Sequence, residues 1–258
     1  MFAPIVSRPQ RALVEVGALA VLYGVYEAAR GAGDANLAVA RDHTGDIVSL
    51  ERALHVFGER TVQEWSRGVP YLPALLGVAY MTLHLTVTTL GMRWIYRNRP
   101  DAFPLVRTTL IAATGLALVG YITFPAAPPR LAGLGFADTV SRHTGLNLSS
   151  NLLGSFYNPF AAVPSLHFGY AVLMGVSIAL LARRTWVRVL AAIYPAIMLF
   201  VIVGTGNHFF FDAAAGAVVV GLGWSIACPL VGGSRSAAEP NIRGRRRERR
   251  PTRLSPAA

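Results

Sequence analysis

Apolar positions along the chain gather into six blocks, at about residues 12–29, 69–92, 108–125, 166–182, 189–206 and 209–231. Each falls within or close to the roughly 17–25 residues that a helix needs to cross a hydrocarbon core of about 30 Å. Polar residues collect between the blocks rather than alternating within them. The pattern predicts an all-α polytopic membrane protein with six transmembrane helices. Glu15 and Glu27 make the first block the most polar of the six, and no small-residue cleavage site marks it, so it reads as a retained span rather than a removed leader. Residues 1–231 thus form one six-span domain. Residues 232–258, rich in Gly, Ser, Pro and Arg, are expected to be a disordered tail.

A weaker periodicity lies in the loop after the first block. Ile47, Leu50, Leu54 and Phe57 recur at helical spacing, with Asp46, Glu51, Arg52 and Glu59 between them. That suits an extracytoplasmic helix lying in the membrane interface, or the same helix packed over a site as a lid.

Composition agrees with the pattern. Hydrophobic residues make up 53% of the chain and charged residues 14%, where soluble domains carry about 25% charged. The net charge of +11 is carried by arginine alone and is concentrated in particular loops. Arg93, Arg97, Arg99 and Arg107 lie between blocks two and three, Arg183, Arg184 and Arg188 between blocks four and five, and eight arginines follow residue 231. The alternate loops are acidic or nearly neutral. This bias places both termini in the cytoplasm of a multi-pass cell-membrane protein and explains the charge without nucleic acid. The Arg-rich tail suits a topogenic role, with anionic lipid headgroups as the alternative partner. Cys228 stands alone, which excludes a disulfide framework and a Cys-based metal site.

Candidate chemistry sits at the outer ends of blocks four to six. His167 follows Pro164-Ser165-Leu166, and His208 and Asp212 lie 41 and 45 positions further on. Blocks four and five form a hairpin that returns the chain to the face it left, so the two histidines can meet. Ionisable groups at membrane depth are costly and mark function. A carboxylate four residues from an imidazole on one helix face can hold one ring nitrogen and leave the other lone pair free to attack. His167 supplies a second proton-transfer group. Pro164 suits a first helical turn, and the free N–H groups beside Ser165 suit an anion. Arg130 offers a planar fork for phosphate. Together these residues point to phosphoryl transfer through a phosphohistidine, with no metal and no cofactor required. A zinc site from His167, His208 and Asp212 is the alternative by ligand type. His84 reads as an interhelical hydrogen bonder, and His43, His55 and His143 as surface residues. The competing functional classes are a lipid-phosphate transporter or flippase, for which no internal repeat is visible, and an inactive scaffold.

With those residues in view, the chain resembles the type 2 phosphatidic acid phosphatase superfamily over residues 10–231, and within it the branch containing inositol phosphorylceramide synthase. Pro164-Ser165-Leu166-His167, His208-Phe209-Phe210-Phe211-Asp212 and Phe124-Pro125-Ala126-Ala127-Pro128-Pro129-Arg130 carry the resemblance. It implies a lipid phosphatase or head-group phosphotransferase with His208 as nucleophile, Asp212 as its orienter and His167 as acid and base. Arg130, Ser165 and Asn207 would hold the phosphoryl oxygens of a lipid phosphate or phospholipid. Val201 and Ile202 occupy positions where the wider superfamily carries Ser-Arg, which sets the chain apart from generic lipid phosphate phosphatases.

Overall fold

The computed structural model describes residues 37–145 and 159–238, with Gly17 and Gly24. The expected span over 12–29 and the segment from residue 239 lie outside the described residues. The helices are α1 (Leu37–Ala53), α2 (Glu59–Gly68), α3 (Leu72–Asn98), α4 (Phe103–Thr123), α5 (Thr139–Thr144), α6 (Leu166–Leu181), α7 (Thr185–Gly204) and α8 (Phe210–Ala238), with a 3-10 turn over Pro129–Leu131. No strand occurs among the described residues.

Four helices are long and apolar enough to cross a membrane: α3, α4, α7 and the Phe210–Gly232 part of α8. The fifth, α6, is apolar but only 16 residues long against 27 for α3. Proline in the first turn starts α3 and α4, where a missing N–H costs nothing. The last helix runs to Ala238, so the segment expected to be disordered from residue 232 begins as helix.

α4 packs along α8, α6 and α7 form the hairpin, and α3 lies against α5, α6 and α7. Leu76, Tyr80, Leu110, Met174, Met198 and Ile202 are among the residues that fill the shared core. Leu75, Leu85, Leu90, Val119, Ile122, Leu180, Trp186 and Leu190 point outward and are exposed, as a membrane-facing surface requires. At one end Arg99 donates through Nε and Nη2 to the Leu181 carbonyl at 2.9 and 2.7 Å. A cation thus satisfies the open C-terminus of α6 and joins the two arginine-rich loops at the end away from the histidines.

α1 departs from expectation. Its buried side is Ala40, Thr44, Ile47, Val48 and Glu51, while Leu50 and Leu54 are exposed. Small and hydrogen-bonding residues serve this face because it docks on backbone: Thr44 accepts from Ala127 N–H at 3.0 Å, and Ala127 N–H also reaches the Ala40 carbonyl. Ile47 and Val48 join Ala126, Phe136, Val163 and Phe209 in a second cluster. The helix is therefore packed over the loops around the histidines. Of its three acids Glu51 is buried while Asp42 and Asp46 are exposed, and Glu59, which opens α2, is buried as well.

Candidate active site

The turn between α7 and α8 places His208. Asn207 and His208 both donate their N–H groups to the Ile202 carbonyl, at 3.1 and 3.2 Å, which curls the chain back on the end of α7. The curl requires Gly206 at φ +72°. A Cβ there would also strike the Gln63 amide and approach the Ala137 carbonyl at 3.0 Å, so only glycine fits.

His208 precedes the first residue of α8, so it and Asp212 are not an i,i+4 pair within one helix, as the spacing suggested. Asp212 instead reaches back across the helix N-terminus. Its Oδ2 accepts from Phe209 N–H at 2.9 Å and lies 3.2 Å from His208 Nδ1. The pairing survives because the capping geometry brings both groups to the same point. A carboxylate fixed on Nδ1 assigns that nitrogen the hydrogen and leaves Nε2 with the lone pair. Asp212 is fully buried and His208 is 4% exposed.

Two further carboxylates close the start of α8. Glu59 accepts from Phe210 N–H at 2.9 Å and Glu51 from Phe211 N–H at 2.7 Å. Three consecutive amides of α8 thus each meet an acid, which suits the positive end of the helix dipole. Burial, followed by the hydrogen bond to Glu59, pushes the Glu51 carboxyl from its ordinary 4.5 up to about 8; the Glu59 and Asp212 charges add to the rise, and the Phe211 amide opposes it.

Arg130 is held from two sides. Its backbone N–H donates to the Gly206 carbonyl at 3.0 Å and its Nε to Asn207 Oδ1 at 2.8 Å. Nη1 lies 3.8 Å from Asp138 Oδ2. The guanidinium is therefore fixed beside the His208 turn in an orientation that Asn207 sets. Val201 and Ile202, which precede this turn at the end of α7, are buried core residues.

His167 arrives from α6. Pro164 precedes the helix rather than opening its first turn, and Ser165 is the N-cap, its Oγ accepting from Phe168 N–H at 3.4 Å. Ser165 N–H donates to the Asp212 carbonyl at 2.9 Å, and Tyr121 Oη to the Pro164 carbonyl at 2.8 Å. The fully buried Ser165 thus joins α6 to α8 directly. Gly216 permits the approach, since a Cβ there would collide with the Ser165 carbonyl. The His167 and His208 rings end 5.8 Å apart between centroids.

All six residues singled out in the sequence therefore meet in one place. Four that local pattern did not identify join them: Glu51, Glu59, Tyr80 and His84. Tyr80 stacks on His167 at 4.4 Å and 12°, and the His84 ring lies 3.9 Å from that of His167. Of the histidines read as surface residues, His43 is half-buried, stacked on Phe124 with Nδ1 at 2.8 Å from the Pro125 carbonyl. Among the described residues no three His, Cys, Asp or Glu side chains are grouped as metal ligands.

The arrangement sets an imidazole oriented by a carboxylate beside a second imidazole and an anchored guanidinium, groups that can serve phosphoryl transfer. No curated protein and no solved structure matches the chain. Residues 45–226 match the sequence profile of the PAP2 superfamily, a stretch that takes in the second half of α1, the turn of Arg130 and both histidine segments. By that match over most of its length, the chain belongs to the PAP2 superfamily.

Proposed function

We propose that this protein is a membrane phosphatase or phosphotransferase that acts on a lipid phosphate or phospholipid head group through a phosphohistidine at His208. Superfamily membership supports a phosphatase-type enzyme in a membrane. The observation that carries the mechanism is the His208 Nδ1–Asp212 contact at 3.2 Å, with His167 facing the same imidazole.

Nε2 of His208 attacks phosphorus while the ester P–O bond breaks. The protonated His167 gives its proton to the leaving oxygen. An acceptor O–H then returns a proton to His167, its oxygen bonds to phosphorus, and the P–N bond breaks. With water the product is free phosphate or a phosphorylated head group; with a lipid alcohol it is a new phosphoester. Arg130, oriented by Asn207, would neutralise the equatorial oxygens through its planar guanidinium, and the Ser165 hydroxyl hydrogen is a further donor. The Phe124–Arg130 segment and the apolar Val201-Ile202 pair favour the inositol phosphorylceramide synthase-like branch.

In the membrane, the proposed arrangement has six spans: the block at 12–29, then α3, α4, α6, α7 and α8. Both termini are cytoplasmic, the arginine-rich loops face the same side, and the site opens extracytoplasmically beneath α1. The test is His208→Ala in purified protein, assayed on a lipid panel with and without alcohol acceptors and read by mass spectrometry. Loss of both hydrolysis and transfer is expected. Activity within a few-fold of the unsubstituted protein would refute the mechanism.

A further inference from the structure

Tyr80 and His84 are one turn apart on α3, and both rings bear on His167. The phenol ring covers one face of the imidazole nearly in parallel, at 4.4 Å and 12°. The His84 ring meets it at 3.9 Å and 53°, in van der Waals contact. His84 is itself fixed, its Nδ1 lying 3.3 Å from the Tyr80 carbonyl. A carbonyl only accepts, so Nδ1 carries the hydrogen and Nε2 keeps its lone pair.

An imidazole in the first turn of a helix has free rotation about its Cβ–Cγ bond unless neighbours prevent it, because that torsion is broad. Here the neighbours come from another helix, and leucine in place of either would fill space without defining a plane. Tyr80 is 3% exposed, so its ring is itself held by the core. Polar aromatics in the middle of a membrane helix carry a cost that simple packing does not require.

We propose that Tyr80 and His84 form a clamp that positions the His167 ring for proton transfer to the leaving group. The proposal rests on the phosphoryl-transfer reading above and adds two positioning residues to it. The clamp acts on proton delivery and leaves the attack by His208 untouched, because His208 is oriented separately by Asp212. In forming the phosphoenzyme, its loss is felt only when the leaving oxygen needs a proton; the later return of a proton from the acceptor is common to all esters.

The test compares two esters in detergent-purified protein: a short-chain phosphatidic acid, whose alkoxide must be protonated, and p-nitrophenyl phosphate, whose phenolate leaves without a proton. His84→Ala should lower kcat/KM, which reports the half-reaction that forms the phosphoenzyme, by at least about tenfold on phosphatidic acid, a fraction of what general acid catalysis contributes. On p-nitrophenyl phosphate it should change kcat/KM by less than about threefold. Tyr80→Phe, which keeps the stacked ring, should restore the phosphatidic acid rate that Tyr80→Leu loses. Should His84→Ala fail to fold, the Tyr80 pair carries the same comparison. Equal losses on both esters, or no loss on either, would overturn the clamp while the nucleophile stands. His208→Ala is the separate check, since activity retained there removes the phosphohistidine and the clamp together.

Discussion

The Glu51–Glu59 pair makes stability depend on pH in a direction that the structure dictates. Glu51 holds its proton up to about pH 8 in the folded protein and releases it near 4.5 when unfolded. Below 4.5 both states are protonated and its contribution is fully present. As pH rises from 4.5 toward 8 the unfolded state alone loses the proton, so stability falls, by about 1.4 kcal/mol per pH unit for one proton. Above 8 both states are ionised, and the contribution has been lost. Glu51→Gln keeps the shape and the acceptor for Phe211 N–H but cannot ionise. Thermal unfolding in detergent, followed by tryptophan fluorescence from pH 5 to 9, should therefore show the two proteins diverging. The variant gains on the unsubstituted protein by roughly 3 to 6 °C per pH unit between 5 and 8, then runs parallel to it. Taking the difference cancels every titration common to the two proteins. Glu51→Ala should be the less stable at every pH, by about 1–3 kcal/mol, because Phe211 N–H is left without its acceptor. A constant difference between Glu51→Gln and the unsubstituted protein across this range would refute the raised Glu51 carboxyl.

Three other substitutions follow from the packing around the histidines. Gly216→Val should abolish activity and lower the melting temperature, since its side chain meets the Ser165 carbonyl; Gly221→Ala, with open space around its Cα, should do neither. Arg130→Lys keeps the charge but loses the planar fork that Asn207 orients, and kcat/KM should fall about tenfold to a hundredfold in steady-state assays of phosphate release. Asp212→Asn keeps the shape while weakening control of the His208 tautomer, and should cost on the order of a thousandfold or more in kcat; a loss under tenfold would refute the orienting role.

Much of this was legible in the sequence, for identifiable reasons. The apolar blocks fall on α3, α4, α6, α7 and α8 because twenty apolar residues have few other uses, although the helix ends differ from the block ends by up to seven residues. The two histidine segments stood out because polar groups at the ends of such blocks are conspicuous. What stayed hidden depended on which surfaces meet. The partners of Glu51 and Glu59 leave no local trace, since the N-terminus of α8 that receives them is more than 150 residues away. Tyr80 and His84 sit inside a continuous apolar run where no periodicity separates a core aromatic from a site residue. α2 and α5 were not anticipated, being too short and polar to give a pattern of their own.

The shortness of α6 has a consequence for the reaction. At 1.5 Å per residue its 16 residues span about 24 Å, and His167 in its first turn lies beside His84, about 18 Å along α3 from Leu72. On the proposed orientation α6 covers about 24 Å of a core of about 30 Å, so phosphorus would sit a few ångströms below its outer edge, and the lipid would enter sideways into the bundle instead of being met at the surface. Water is scarcer there than among the headgroups. Under the proposed mechanism, competition between the two acceptors is then set by the depth of His208 as well as by the residues that touch the substrate.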